Sequence, residues 1–158
     1  MIIAVNGVVC SGKTTICKAL HELGFLVFHT SSFLPKDRNT LKLPAQDVVK
    51  IVEDRIKNTK YTYFTDSFPY DVEQLSLTKL QIKKAYILEC EDSILRQRAK
   101  ERNREDDKFF EERLKHMKQD IEELKKEYEK RNITYKVLKN ENLRDLVENI
   151  YLILEETL

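Results

Sequence analysis

The sequence predicts an α/β fold, a five-stranded parallel sheet with helices on both faces. Two observations predict it. Short strand-like and longer helix-like segments alternate from one end of the 158 residues to the other, and strand-like runs such as Ile2-Ile3-Ala4-Val5 and Ala85-Tyr86-Ile87-Leu88 are apolar throughout. Strands buried on both faces read that way, whereas a strand with one wet face alternates. A third observation places a site on this frame. Gly7-Val8-Val9-Cys10-Ser11-Gly12-Lys13-Thr14 joins the first strand to the first helix, two glycines bracketing four residues and followed by Lys-Thr.

The elements follow in order. After Ile2–Val5, Thr14 to Leu23 reads as a helix with Ile16, Ala19, Leu20 and Leu23 on one face, closed by Gly24. Phe25–Phe28 is a second short strand. A polar stretch from Thr30 to Lys42 carries the breakers Pro35 and Asn39, and Pro44 opens a helix whose apolar positions are Val48, Val49, Ile51, Val52 and Ile56. Tyr61–Thr65 is a β-rich strand ending at Asp66. A break at Pro69 precedes a short helix from about Asp71. The strand Ala85–Leu88 is followed by a helix from Ser93 through Arg102. Phe109 to Arg131 reads as one long helix with Phe110, Leu114, Met117, Ile121, Leu124 and Tyr128 spaced by fours and threes, and with only about three heptads it is read as an amphipathic helix lying across its own domain. Ile133–Leu138 is the last strand, and Leu143–Leu154 a closing helix with Leu146, Val147, Ile150 and Leu154 inward.

A chain of this length supports one core, so residues 1–158 are read as a single domain. Basic and acidic residues number 28 and 27, which leaves no global field of the kind that marks a nucleic-acid partner. Cys10, Cys17 and Cys90 are odd in number and lack metal spacing, as expected in a reducing compartment. Met1 leads straight into the first strand and no apolar run reaches membrane-spanning length; the expectation is a cytoplasmic protein with no membrane partner.

The glycine loop carries the chemistry. Such a loop wraps a triphosphate in backbone N–H groups, aims the positive end of the helix dipole at it and adds one cation, here Lys13. Gly7, Cys10, Ser11, Gly12, Lys13, Thr14 and Thr15 are thus candidate nucleotide-binding residues, with the Thr14 hydroxyl placed for Mg²⁺ and Thr15 as second candidate. In a parallel sheet ligands sit at the carboxyl ends of the strands. Asp66, at the end of the third strand, suits a water-mediated Mg²⁺ contact, and Asp66-Ser67-Phe68-Pro69-Tyr70 is followed by Gln74. A further cluster comprises Arg98, Arg102, Arg104, Asp106, Asp107 and Arg113, with Arg98 and Arg102 four apart on one helix face. Planar arginine donors suit the charge that develops in phosphoryl transfer.

Taken together these motifs resemble the adenylate kinase and UMP/CMP kinase group of P-loop nucleoside monophosphate kinases, along nearly the whole chain. Asp66-Ser67-Phe68-Pro69 is similar to the family's Asp-Gly-Phe-Pro-Arg motif, Leu43-Pro44 to its Val-Pro pair, and the arginine cluster to its short-lid pattern. The resemblance implies transfer of the γ-phosphoryl of ATP, with Mg²⁺, to a nucleoside monophosphate. By it Lys13, Arg102, Arg104 and Arg113 act on the transferring group, Arg98 lies against the ATP adenine, and Gln74 reads an AMP base. A reduced monophosphate-binding segment spans about residues 30–60 and a short lid about 102–108, where Asp106 and Asp107 organise the arginines. Monomer is the usual condition of the short-lid kinases it resembles, and by that resemblance monomer is the expectation here.

The departures fall on the acceptor side. Tyr70 stands where the family has arginine, and the acceptor arm is cut to Ser32-Phe33-Leu34-Pro35-Lys36, so that Lys36 or Arg38 becomes the candidate monophosphate contact beside Tyr70. Two alternatives therefore accompany the AMP kinase reading. One is a pyrimidine monophosphate or another small hydroxyl or phosphate compound as acceptor. The other is an ATP-binding regulatory or assembly protein with weak kinase activity.

Overall fold

The computed structural model describes residues 1–34, 43–56, 60–103 and 109–158. Its elements are β1 (Ile2–Gly7), α1 (Lys13–Glu22), β2 (Val27–His29), a 3-10 turn (Thr30–Phe33), α2 (Ala45–Arg55), β3 (Tyr63–Asp66), α3 (Val72–Leu77), β4 (Ile82–Glu89), α4 (Asp92–Arg102), α5 (Phe110–Lys130), β5 (Thr134–Lys139) and α6 (Leu143–Thr157). All five strands are parallel, in the order β2-β3-β1-β4-β5, with β1 paired to both β3 and β4. The α/β architecture read from the sequence is the architecture observed.

Side chains on a strand alternate between faces, and here each alternate set is apolar because each face is covered. Ile2 and Ala4 of β1 and Ala85 and Ile87 of β4 join one core with Val48, Val49 and Val52 of α2 and Leu124 and Tyr128 of α5. Their neighbours Ile3, Val5, Tyr86 and Leu88 join the opposite core with Ile16, Cys17 and Leu20 of α1 and Ile153 of α6. The long helix α5 lies across its own domain, as its seam requires. Phe110, Leu114 and Met117 close a third cluster with Val8 and Val9 of the glycine loop, Ile121 touches two clusters, and Leu124 and Tyr128 are fully buried.

Several boundaries differ from the sequence reading. The helix α1 stops at Glu22, so Leu23 is its cap and is exposed instead of inward, while Gly24 at φ 97° donates its N–H to the His21 carbonyl and ends the helix as expected. In α6 the expected seam holds at Leu146 and Leu154, which pack against the second core, and fails at Val147. Val147 is 44% exposed, and the buried positions are Asn149 and Ile153, because a buried asparagine completes the inner stripe where the hydrophobic pattern had to bypass it. The strand β4 begins three residues before Ala85, since Lys83 and Lys84 keep strand backbone without being apolar.

Candidate phosphate-binding site

The glycine loop leaves β1 at Gly7 and enters α1 at Lys13, at the carboxyl end of the central strand. Both glycines are needed for space and backbone. Gly7 has φ 155°, and a Cβ there would sit 2.5 Å from Ser11 Oγ and 3.1 Å from the Leu88 carbonyl; Gly12 has φ 100°, and a Cβ there would lie 2.3 Å from Asn140 Nδ2. Lys13 stretches over the loop, its Nζ donating to the carbonyls of Gly7 (2.7 Å) and Val8 (2.9 Å). Burial lowers the Lys13 pKa to about 8, against the pull of Asp66 and with a further push from Arg113. A cation this lightly solvated is poised to gain from a polyanion.

Asp66 ends β3 beside the start of α1. Its Oδ2 accepts from Thr14 Oγ1 at 3.0 Å and faces His29 Nδ1 at 3.2 Å, and its Oδ1 accepts from Ser67 Oγ at 3.2 Å. A hydroxyl and a carboxylate converging at the mouth of an anion-binding loop are hard oxygen donors of the kind Mg²⁺ accepts, directly or through its waters. The donor set therefore fits that cation, with Thr14 turned to Asp66 and Thr15 exposed one position on.

Among the remaining predicted residues, Arg98 sits behind the loop. Its guanidinium donates to the carbonyls of Cys10 (3.0 Å) and Asn140 (2.9 Å) and to Cys90 Sγ (3.2 Å). Arg113, half-buried in the first turns of α5, lies close enough to lower the pKa of both Lys13 and Tyr70. Arg102 is the last residue of α4. Tyr70 lines a small cavity with Asn6, Gly7, Ser67, Met117, Asp120 and Ile121, and burial raises its pKa to about 12, so it stays a neutral hydroxyl at physiological pH. Gln74 is buried. Its Oε1 accepts the Tyr70 N–H (2.7 Å) just before α3, while its own N–H donates to Asp71 Oδ1 (2.9 Å), the side-chain cap of that helix. Lys36, Arg38, Arg104, Asp106 and Asp107 lie outside the described residues.

Three residues of this region were not singled out by the sequence. His29 ends β2 against Asp66. Asn6, 2% exposed in β1, donates to the Pro69 carbonyl (2.8 Å) and accepts from Tyr128 OH (2.7 Å), so that α5 is tied to the segment after Asp66. Asn140 follows β5 and bonds the Ser11 carbonyl at 2.8 Å. The signal for His29 and Asn140 was available, since each lies at or just past the carboxyl end of a strand, where a parallel sheet keeps its site.

A family model described as an AAA domain matches residues 3–146, from β1 to the first turns of α6. The chain belongs to the AAA domain family. This is a P-loop NTPase-like family that includes kinases. Its fold agrees with the five-stranded parallel sheet seen here, and membership supports nucleotide binding at the Gly7–Thr14 loop. No curated protein matches the chain. Among the described residues no helix is long and apolar enough to cross a membrane.

Proposed function

We propose that this AAA-family chain is an ATP- and Mg²⁺-dependent phosphotransferase acting on a small acceptor, with a nucleoside monophosphate as the first acceptor to consider. The observation that carries the reading is the convergence of Lys13, Thr14, Asp66 and the glycine loop at the adjacent carboxyl ends of β1 and β3, with the Arg113 charge felt at Lys13. Phosphoryl transfer asks a protein for positioning and for positive charge around the moving group, and needs no side-chain nucleophile. Lys13, Arg102, Arg104 and Arg113 supply that charge, the loop N–H groups and Arg98 hold the donor, and Thr14 and Asp66 would hold Mg²⁺, which when bound neutralises the phosphate oxygens.

Support for a nucleoside monophosphate comes from the sequence resemblance to adenylate and UMP/CMP kinases. Lys36, Arg38, Tyr70 and Gln74 are the acceptor contacts it implies, and Gln74 favours AMP. A second acceptor class, a small hydroxyl compound, is favoured by His29. Its imidazole is oriented by Asp66 at the end of β2, and an uncharged acceptor has no use for the arginine that Tyr70 replaces.

The test is ADP release from ATP and Mg²⁺ against AMP, CMP, UMP, dTMP and GMP and against the corresponding nucleosides, beside Lys13→Ala. Lys13-dependent turnover on one acceptor is the expected result and names the substrate. ATP binding with no transfer to any acceptor would replace the phosphotransferase reading with that of an ATP-binding regulatory protein.

A further inference from the structure

We propose that Asn140 is a positioning residue of the phosphate site: its side-chain amide sets the Ser11–Gly12 peptide so that the Gly12 N–H points into the hollow of the loop. The inference rests on the nucleotide-binding reading and assigns part of that site to β5 and α6, far from the loop in sequence.

In a trans peptide the carbonyl of one residue and the N–H of the next point in opposite directions. Whatever holds the Ser11 carbonyl therefore aims the Gly12 N–H. Asn140 Nδ2 donates to that carbonyl at 2.8 Å in a buried contact. The Ser11 N–H is already spent on the Val8 carbonyl (3.2 Å) inside the loop, whereas the Gly12 N–H opens α1, one of the orphan donors at a helix start that bind anions.

The amide is held on every side. The Asn140 backbone N–H donates to the Glu89 carbonyl (2.9 Å), and its carbonyl accepts from Arg98 Nη2 (2.9 Å) and Cys90 Sγ (2.8 Å). Its Oδ1 faces Asn149 Nδ2 of α6 at 3.5 Å, and that nitrogen also donates to the Lys139 carbonyl at 2.9 Å. Asn140 is 4% exposed and Asn149 8%. A buried primary amide costs free energy unless its partners are in place, so an apolar side chain would serve packing better. What the amide adds is direction. Gly12 completes the fit, because the space its Cβ would fill is 2.3 Å from Asn140 Nδ2. Arg98 holds the Cys10 carbonyl in the same way at 3.0 Å, so two successive carbonyls of the loop are turned outward by side chains from outside it.

The experiment is calorimetric binding of inorganic tripolyphosphate and of ATP, each with Mg²⁺, to the full chain, its Asn140→Ala variant and the nearly isosteric Asn140→Asp. Loss of one neutral buried hydrogen bond predicts about tenfold weaker binding for Asn140→Ala, and more for Asn140→Asp, which sets a carboxylate against the Ser11 carbonyl. The factor should be the same for tripolyphosphate as for ATP, because the effect acts on phosphate. In nitrogen-edited spectra the Gly12 amide proton should shift on tripolyphosphate in the wild type and not in Asn140→Ala, a signature that a residue of purely structural use would leave unchanged. Unaltered tripolyphosphate affinity, or weakening for ATP alone, would overturn the proposal. Where Asn140→Ala does not fold, Asn140→Asp decides by the same two readouts. A wild type that binds neither ligand would overturn the nucleotide reading itself, and this inference with it.

Discussion

The two sides of the site are built from different materials. On the proposed donor side the working groups would belong to the backbone, and the side chains around the loop hold its carbonyls: Lys13 bonds those of Gly7 and Val8, Arg98 that of Cys10, and Asn140 that of Ser11. On the proposed acceptor side the side chains assigned to substrate recognition are bonded to the fold. Gln74 Oε1 accepts the Tyr70 N–H, Asp71 caps α3 through the Gln74 N–H, and Tyr70 is a half-buried neutral hydroxyl. A backbone grip changes only with the fold, whereas a side-chain grip changes with single substitutions. That difference explains how a chain can keep its loop intact while its acceptor arm departs from the kinases it resembles.

The largest expected effect tests the donor side. Lys13→Ala should lower phosphotransfer by about 10²–10³-fold or more in the ADP-release assay, the scale for losing one preorganised donor to a developing charge. A variant near wild-type rates would put the grip elsewhere. Gly12→Ala comes next. It forces a side chain onto a backbone at φ 100° and into Asn140, which should cost about 1–3 kcal/mol in thermal unfolding and remove ATP binding together with stability.

How much of this was legible in the sequence follows the same division. The sheet and the loop were legible because their signals are local: apolar runs for doubly covered strands, and two glycines with Lys13 at fixed spacing. The cradle around the loop was not. Asn140 is 129 residues from Ser11 in the chain, and a lone asparagine has no spacing to betray it. Asn149 even misled, because a polar residue on the inner stripe of α6 made Val147 look buried. Gln74 drew its base-reading role from the family resemblance alone, whereas in the structure its Oε1 accepts the Tyr70 N–H and its own N–H donates to the Asp71 side chain that caps α3.

Two substitutions sharpen the comparison from the acceptor side. Tyr128→Phe leaves the Asn6 side-chain Oδ1 buried without its 2.7 Å donor and should cost about 1–3 kcal/mol. Since Asn6 also holds the Pro69 carbonyl, the Michaelis constant for the acceptor should rise more than that for ATP. Gln74→Ala leaves the Asp71 cap of α3 in place but takes the acceptor from the Tyr70 N–H, and should cost about 1 kcal/mol in a melting experiment. If the amide serves the Tyr70 N–H alone, AMP loses no more than CMP or UMP. A selective loss for AMP would show that it reads the base as well, and would restore recognition to the acceptor side.

The smallest effect is expected at the opposite end of the sheet, which sets the scale for the rest. Glu156, near the end of α6, accepts from Lys136 Nζ (2.5 Å), Lys84 Nζ (2.8 Å) and Tyr86 OH (2.8 Å), and these bonds hold its carboxyl at a pKa of about 2, below the ordinary 4.5. A carboxylate depressed by folding stabilises the folded chain above the unfolded value, and the contribution drains away as pH falls from about 4.5 towards 2. Glu156→Gln should therefore lower stability at neutral pH by about 1 kcal/mol or less, since the group is partly solvated, and flatten the loss of stability between pH 4.5 and 2. Nucleotide binding at neutral pH should not move. If ATP affinity fell with Glu156→Gln, α6 would be transmitting strain from its far end to Asn149 and Asn140, and the backbone grip would extend along the whole helix instead of ending at the amides beside the loop.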